Sequence, residues 1–410
     1  MKRFPIILLC LSSLAAGCTS LDGTNPYAGN LHTLTVEAVY PDEYAEYRRE
    51  GVEISIEDVD RGNSYTVRTD AAGKASIAIA NGIYRVLLSD KTDGHIFNGM
   101  ADKVRLVDTD LELSLALYRS QAGTLVIKEI YCGGCMRTPQ EGKYQYDKYI
   151  IIHNNDSEVQ YLDGLCFGAS DPYNSQATNR WTTKDPETGS NVFQDFVPII
   201  QAVWKFGGSG ESFPLAPGED AVVCCCGAID HASQYPLSVN LNKEGYFVLY
   251  NSTYFPNTLY HPAPGDKITP DRYLEVVIKT GIANAYPLSI YSPALVIFRP
   301  QGGQTIEEFV RTADNVIPKP GDKNDYVVKV PVEWIIDGVE VFYGGSSSNT
   351  KRLCTAIDAG YVTQSDIYLA HTLHRRVDEE ASAEAGYEIL ADTNNSSSDF
   401  YERSQQSLHE

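Results

Sequence analysis

The sequence predicts an all-β protein built from two tandem β-sandwiches, of which the second is larger and carries long loops. Apolar and polar residues alternate with a period of two in many short segments, as they do in half-buried antiparallel strands. Clusters of Gly, Pro, Asn and Asp separate these segments, and only residues 305–312 have a helical pattern. The length of 410 residues supports two or three domains rather than one.

The composition is that of an acidic chain with enough apolar residues for packed cores. Hydrophobic residues make up 43% of the sequence, and the formal net charge is −21. An excess of negative charge repels nucleic acids and anionic lipid head groups, so we expect no nucleic-acid partner. Tyrosine outnumbers phenylalanine 27 to 13, and its polar hydroxyl tolerates water, which suits a protein exposed outside the cytoplasm.

The N-terminus has the organisation of a secretory signal. A basic start precedes an apolar run at residues 6–11, which is too short to span a bilayer as a helix. The sequence LAAGC at residues 14–18 resembles the lipobox of bacterial lipoproteins. The resemblance implies a signal peptide at residues 1–17, lipid attachment at Cys18, a tether at residues 18–30 and an outer membrane lipoprotein of the cell envelope. It leaves the leaflet open, and an ordinary secretory signal is the alternative.

Residues 31–120 have the pattern of a compact β module. Apolar residues alternate with polar or exposed positions at residues 34–38 and in three later segments. The sequence TDAAGK at residues 69–74 predicts a hairpin turn, with Gly73 where a positive φ is needed. This turn and the Asn-Gly pair at residues 81–82 resemble those of prealbumin-like, carboxypeptidase-regulatory β-sandwiches. The resemblance implies a spacer or assembly domain without catalytic residues.

Residues 121–410 open with two apolar segments that predict neighbouring strands. They have the sequences TLVIKEIY and DKYIIIH at residues 124–131 and 147–153. A polar corner at residues 154–156 and the sequence LDGL at residues 162–165 follow them. This order resembles the opening of a lamin-tail β-sandwich, which implies an all-β core for the whole second unit.

Four further segments of the second unit resemble one family. They have the sequences PLAPGE, IDH, IDGVE and LADTNNSSSDF at residues 214–219, 229–231, 336–340 and 390–400. Similar segments recur in an uncharacterised Bacteroidales-type family of envelope lipoproteins with a lamin-tail-like core. The resemblance implies an extracytoplasmic location and assigns no activity.

Seven cysteines follow Cys18, and an odd number in an exported protein leaves at least one thiol unpaired. Cys132 and Cys135 have a spacing that allows a shared metal ion or a short disulfide, and Cys166 or the run at residues 224–226 could complete such a site. Soft thiolates would prefer zinc or copper. The alternatives are a structural disulfide or free thiols that fill the core. We expect no cofactor, and zinc or copper bound by these cysteines is the alternative.

Aromatic residues are concentrated in one segment, at residues 246–261. Tyr254, Phe255, Tyr260 and His261 fall in the loop that follows a predicted strand, and together they could form an aromatic platform for a ligand or a partner. Packing of these side chains into the core is the alternative.

The sequence lacks the usual catalytic signatures, among them a G-x-S-x-G elbow, a Walker loop, an H-E-x-x-H pair and a dinucleotide fingerprint. We therefore expect no enzyme but a membrane-anchored binding or accessory protein that partners an outer-membrane nutrient transporter. A metal- or thiol-dependent protein that uses Cys132 and Cys135 is one alternative, and a surface adhesin is another.

Overall fold

The computed structural model describes residues 31–47, 50–92, 95–286, 288–322, 324–345 and 348–409. The signal peptide, Cys18 and the tether predicted for residues 1–30 therefore lie outside the described residues. The described chain consists mainly of β-strands in several sheets, which confirms the all-β prediction. Its helices are all short, and none combines the length and the apolarity that a bilayer crossing requires.

The first unit has eight strands in two sheets. The strands are β1 (Leu31–Val39), β2 (Glu53–Asp58), β3 (Ser64–Arg68), β4 (Lys74–Ala80), β5 (Gly82–Thr92), β6 (His95–Leu106), β7 (Leu111–Ala116) and β8 (Tyr118–Arg119). The smaller sheet has the order β4-β1-β7 and the larger one β3-β2-β5-β6-β8. Alternate apolar side chains of both sheets, including Leu34, Ile54 and Leu115, are buried in one cluster.

The turn at residues 69–74 connects the two sheets, so the prediction of a hairpin there is wrong. β3 belongs to the larger sheet and β4 to the smaller one. Gly73 has the expected positive φ of 78°, and the Asp70 carboxylate accepts hydrogen bonds from the backbone N–H groups of Ala72 and Lys74. A corner between sheets and a hairpin use the same turn residues. Whether the turn forms a hairpin or a corner depends on which sheet each flanking strand joins. The turn sequence alone does not determine this.

The second unit contains the remaining strands. They are β9 (Leu125–Tyr131), β10 (Cys135–Met136), β11 (Lys143–Tyr144), β12 (Tyr149–Asn154), β13 (Gln160–Tyr161), β14 (Cys166–Ser170), β15 (Thr183–Lys184), β16 (Asn191–Val192), β17 (Phe196–Lys205), β18 (Pro214–Leu215), β19 (Asp220–Cys224), β20 (Phe247–Val248), β21 (Glu275–Lys279), β22 (Ala294–Phe298), β23 (Val316–Pro318), β24 (Tyr326–Pro331), β25 (Ile335–Tyr343), β26 (Val362–Gln364), β27 (Thr372–Arg375) and β28 (Phe400–Arg403).

Two large sheets organise this unit. One has the order β20-β19-β12-β9-β27-β28, and the other has the order β23-β24-β17-β14-β22-β25-β26, with β21 paired to β17. Ile127 and Ile152 of the first sheet share a buried cluster with Trp204 of the second, so this cluster is the core between them. The reverse side of the first sheet is also covered, since Ile151 and Val248 are buried in a separate cluster. Burial on both faces explains why β9 and β12 have nearly continuous apolar sequences.

Short helices lie at the edges of the second unit. They are α1 (Ile306–Arg311), α2 (Glu379–Ala385) and α3 (Ser396–Asp399), and single 3₁₀ turns lie at Asp42–Tyr44, Pro270–Arg272, Ala313–Asn315 and Val332–Trp334. α1 confirms the predicted helix and begins with a capping box formed by Thr305 and Glu308. α2 and α3 were not predicted, because α2 has no buried residue that would give it an apolar period and α3 is a single turn of four residues.

Candidate ligand-binding site

The two units meet in an interface that polar side chains of the first unit hold together. Lys103 Nζ donates a hydrogen bond to Thr350 Oγ1 at 2.7 Å, and Asn98 Nδ2 donates to the Thr393 carbonyl at 2.5 Å. Both donors belong to β6, so one strand contacts two separate segments of the second unit. Losing the partner of a buried donor destabilises a protein by about 1–3 kcal/mol. These bonds therefore favour one fixed arrangement of the units.

Arg85 is a buried charged residue of this interface. Its guanidinium donates to Glu57 at 2.8 Å and to Asp102 at 3.1 Å, both within the first unit. The same group lies 5.0 Å from the ring centroid of Phe342 and 5.1 Å from that of Tyr361, both in the second unit. A guanidinium at this distance from two rings makes favourable cation–π contacts. Arg85 thus joins the units through both charge and aromatic packing.

The hairpin of β15 and β16 extends from the second unit to the first. The Thr188 carbonyl in its loop accepts a hydrogen bond from the Arg105 backbone N–H at 2.8 Å, and Asn191 Nδ2 donates to Asp102 at 2.7 Å. Asp185 fixes the loop from within, because its carboxylate accepts hydrogen bonds from the backbone N–H and the hydroxyl of Thr188. The same bonds lower the pKa of Asp185, so its carboxylate stays charged at neutral pH.

A cleft of about 520 Å³ lies between this hairpin and the first unit, and we name it the interface cleft. Residues from segments 100–118, 185–195 and 354–356, together with Val332, form its walls. Ligand sites of proteins have volumes of about 300–1,000 Å³ and occur preferentially at domain interfaces. The interface cleft therefore has the size and position of a site for one small molecule.

The walls of the interface cleft combine apolar surface with carboxylates. Tyr118 and Val192 are large apolar side chains in the lining that are nevertheless 49% and 45% exposed. Asp185 and Asp195 also line the cleft, whereas its lining contains no Lys, Arg or His residue. Glu112 lies on the same exposed face of β7 as the lining residues Ser114 and Ala116, since side chains alternate along a strand.

A second surface of the larger unit is rich in tyrosine. Tyr146 and Tyr260 contact each other edge to face with ring centroids 4.9 Å apart, as do Tyr291 and Tyr343 at 4.9 Å. Burial raises the pKa of Tyr368, and the nearby Tyr291 and Tyr146 raise it further, so this residue lies close to both pairs. All five side chains are partly exposed, and we name them the tyrosine surface. Tyrosine is enriched at protein–protein interfaces.

The structure does not bring the four predicted platform residues together at the surface. Phe255 is fully buried and stacks on Trp204, with ring centroids 5.5 Å apart. His261 is 2% exposed, and its Nε2 accepts a hydrogen bond from a backbone N–H at 2.9 Å. Both side chains fill the core, which was the alternative to the platform. Tyr254 is 44% exposed, and Tyr260 belongs to the tyrosine surface.

Cys132 and Cys135 lie in a tight turn that supports a neighbouring loop. The carbonyls of the two glycines between them accept hydrogen bonds from the backbone N–H groups of Tyr368 and Ala370, at 2.9 and 3.0 Å. Tyr368 and Ala370 both have positive φ angles, which are unfavourable for residues with a side chain. The turn thus holds a strained loop in place. Lack of space explains its two glycines, because an added Cβ would lie 2.8 Å from Gln364 Oε1 at the first and 2.2 Å from the Tyr144 carbonyl oxygen at the second.

The two thiols have separate partners. Cys132 Sγ donates to Gln364 Oε1 at 3.3 Å, and Cys135 Sγ donates to Asp147 Oδ2 at 3.7 Å. Burial raises the pKa of both thiols to about 12, so they keep their protons at neutral pH. A metal ligand or a redox nucleophile must be a thiolate. The geometry therefore favours the alternative of free buried thiols.

The remaining cysteines do not complete a site around this turn. Cys166 lies in the other large sheet, in an apolar cluster that includes Ile306 and Phe309 of α1. Its Sγ donates to the Gly164 carbonyl, and burial raises its pKa to about 12. The cysteines at residues 224–226 are buried beside β12 and are free thiols as well. These side chains behave as small apolar residues.

Among the described residues, one group of three metal-ligand side chains comes together, and it contains no cysteine. It consists of His153, Asp220 and Glu388. Lys128 Nζ donates to Asp220 Oδ2 at 2.8 Å and also to Glu388, and His153 Nδ1 lies 2.7 Å from Asp220 Oδ1. The Lys128 ammonium thus supplies the positive charge that a metal ion would bring. We interpret the group as an ion-pair network.

The sequence does not predict the interface cleft. Its walls come from three segments that are far apart in the chain, and the hairpin among them has the composition of an ordinary polar loop. The one signal in this loop is the exposed apolar Val192, and a single exposed apolar residue is common on any surface. Only the packing of the two units creates the cavity.

Comparison with known proteins relates the second unit to one family. Residues 216–407 match the model of the family described as "Protein of unknown function (DUF4876)". The chain is similar to a DUF4876 family protein of known structure from Bacteroides thetaiotaomicron VPI-5482, with 25% sequence identity, a TM-score of 0.56, and coverage of 90% of this chain and 94% of that chain. No curated protein matches the chain.

A second solved structure gives a much weaker match. It is a DUF3823 family protein from Parabacteroides merdae ATCC 43184, with 12% identity over 44% of this chain and 82% of that chain, and its TM-score of 0.16 is too low to indicate a shared fold. The first match agrees with the expectation of a family without an assigned activity. Residues 216–407 of this chain are therefore similar to the DUF4876 family.

Proposed function

We propose that this protein is a membrane-anchored envelope lipoprotein that binds a small ligand in the interface cleft and catalyses no reaction. The observation that carries the proposal is the cleft of about 520 Å³ between two units that polar contacts join. The cleft presents both apolar surface and carboxylates, as sites for amphipathic small molecules do. We also propose that the first unit is prealbumin-like and the second lamin-tail-like, since each has two β-sheets around a core.

Native mass spectrometry of the lipidated protein, purified from its own envelope membranes in mild detergent, tests the binding role. We expect a bound small molecule that Ala116→Trp removes, because Ala116 is an exposed residue of the cleft wall and an indole there would fill the cavity. Ala383→Trp is the matched control, since Ala383 is an exposed residue of α2 outside the cleft lining. Equal ligand content in both variants, or no ligand in the unmodified protein, would contradict the proposal.

Anchoring rests on the lipobox-like sequence at residues 14–18. One acyl chain gives marginal membrane binding, whereas the two or three chains of a bacterial lipoprotein give stable attachment. Growth with a radiolabelled fatty acid should label the unmodified protein and leave Cys18→Ser unlabelled. Absence of the label from the unmodified protein, or undiminished membrane association of the Cys18→Ser variant, would count against the anchor.

The tyrosine surface supports an accessory role beside another protein, and an outer-membrane nutrient transporter is the partner that we propose. Crosslinking on intact cells, followed by mass spectrometry, reports the partner and the membrane side together. We expect crosslinks from lysines near the tyrosine surface, such as Lys143, to a membrane transporter, and their loss in Tyr260→Glu. Crosslinks to host or neighbouring-cell proteins instead would favour the adhesin alternative.

A further inference from the structure

We infer that the ligand of the interface cleft is an organic cation with an apolar body, an inference that depends on the binding role proposed above. Asp185 and Asp195 belong to the cleft lining, and Glu112 belongs to the face of β7 that borders it. A cleft lined by charges of one sign concentrates ligands of the opposite sign. The formal net charge of −21 acts in the same direction.

The basic side chains near the cleft lie outside its lining. Lys184 Nζ donates to Asn191 Oδ1 at 2.7 Å, and Lys103 Nζ donates to Thr350. The Arg119 guanidinium lies 5.7 Å from the ring centroid of Tyr44, on the first unit. None of these three side chains belongs to the cleft lining. Lys184 lies beside the cleft through Asn191, and the Arg105 side chain lies against Gly189 of the same hairpin, so both reduce the negative potential of the three carboxylates.

The apolar residues of the cleft define the rest of the ligand. Tyr118 is 49% exposed and Val192 is 45% exposed, so both present surface that a ligand could cover. An aromatic ring such as that of Tyr118 also attracts cations. Phe193 and Val332 extend the apolar lining on the second unit. A protonated amine attached to a hydrocarbon body of drug-like size fits these walls and their charge.

Three probes of the same shape test the charge preference directly. The probes are the cation 1-naphthylmethylammonium, the neutral 1-naphthalenemethanol and the anion 1-naphthaleneacetate. Isothermal titration calorimetry of the full chain at low ionic strength measures their affinities. We expect the cation to bind at least about tenfold more tightly than the anion. Two unit charges about 8 Å apart in an open, water-filled cleft interact enough for roughly a two- to threefold change per carboxylate.

Asp195→Asn and Glu112→Gln should each weaken the binding of the cation by about threefold, whereas the affinity for the neutral probe should not change. Ala116→Trp should abolish binding of all three probes. Equal or tighter binding of the anion, still lost in Ala116→Trp, would overturn the cation inference while the binding role stands. If no probe binds at millimolar concentration, or if Ala116→Trp binds as well as the unmodified chain, both proposals fail.

Discussion

The guanidinium of Arg375 donates to the carboxylate of Asp337 at 2.6 Å, and both side chains are buried. Arg375 also donates to Asp392 at 3.0 Å and lies 3.7 Å from Asp399. Asp392 in turn accepts a hydrogen bond from the backbone N–H of Gly123, which lies in the connection between the units. One buried cation thus holds three carboxylates and ties the C-terminal segment to that connection.

Arg375→Ala should be among the most destabilising substitutions in the chain. It removes the only cation of this cluster and leaves three buried carboxylates, and breaking a buried ion pair in this way destabilises by about 3–5 kcal/mol. Urea unfolding measures the change. Arg376→Ala is the control, because Arg376 is exposed, and it should change the free energy of unfolding by about 1 kcal/mol or less. A loss below 1 kcal/mol for Arg375→Ala would contradict the structural role.

Stability should depend on pH through Asp399. Burial raises the pKa of Asp399 to about 7, against 3.8 for an unperturbed aspartate. Between these two values the folded state holds a proton that the unfolded state lacks, so the free energy of unfolding falls as pH rises, by up to about 1.4 kcal/mol per pH unit. This stabilising contribution is complete below about pH 3.8 and is lost once pH has risen through about 7.

Comparison with Asp399→Asn isolates this effect from other titrating groups. The difference in unfolding free energy between the two proteins should change between pH 4.5 and 7 and become constant above about pH 8. Chemical denaturation at a series of pH values provides the measurement. A difference that stays constant from pH 4.5 to 7 would show that Asp399 titrates normally in the folded protein.

Gly134→Ala should destabilise the turn that carries Cys132 and Cys135. Gly134 has a φ of 74°, and a Cβ added there would lie 2.2 Å from the Tyr144 carbonyl oxygen. Left-handed backbone alone is unfavourable for alanine by about 1–2 kcal/mol, and the steric overlap adds to it. The midpoint of thermal unfolding reports the loss. Gly345→Ala should leave the midpoint unchanged, since no described atom lies within 4 Å of its Cβ position. Similar losses in both variants would refute this explanation of Gly134.

Arg85→Ala should loosen the interface between the units. The substitution leaves the buried Asp102 without its cation and removes the packing against Phe342 and Tyr361, so we expect a loss of about 3 kcal/mol. Limited proteolysis should then cut the connection at residues 120–124 faster than in the unmodified protein. Arg68→Ala removes an exposed ion pair of the same unit and should leave the cleavage rate unchanged. Equal cleavage rates in all three proteins would mean that Arg85 does not join the units.

The sequence predicted the strands better than it predicted how they pack. Period-two segments such as residues 111–116 became β7, and the nearly continuous apolar residues 125–131 became β9, because local pattern reflects burial. Which sheet receives a strand depends on distant partners, and so β3 and β4 were wrongly expected to form a hairpin. Phe255 and His261 show the same limit, since residues in a loop can still fill a core.

The sequence predicted the chemistry of the candidate site less well than it predicted the fold. The CGGC sequence has the spacing of a metal site, yet burial raises the pKa of both thiols, and the Asp147 carboxylate raises that of Cys135 further, so the thiols stay neutral. The interface cleft exists only because the hairpin around Asn191 reaches the first unit, and this contact joins residues 89 positions apart. Neither fact follows from local sequence, because both depend on tertiary contacts.

Photocrosslinking in intact cells tests the central claim, that the interface cleft holds a small ligand, most directly. A photoreactive phenylalanine derivative would replace Val192 at the cleft, or Leu237 on exposed surface outside the cleft lining, and mass spectrometry would follow irradiation. We predict an adduct of defined small mass at position 192 and none at position 237. No adduct at position 192, or the same adduct at both positions, would contradict the claim.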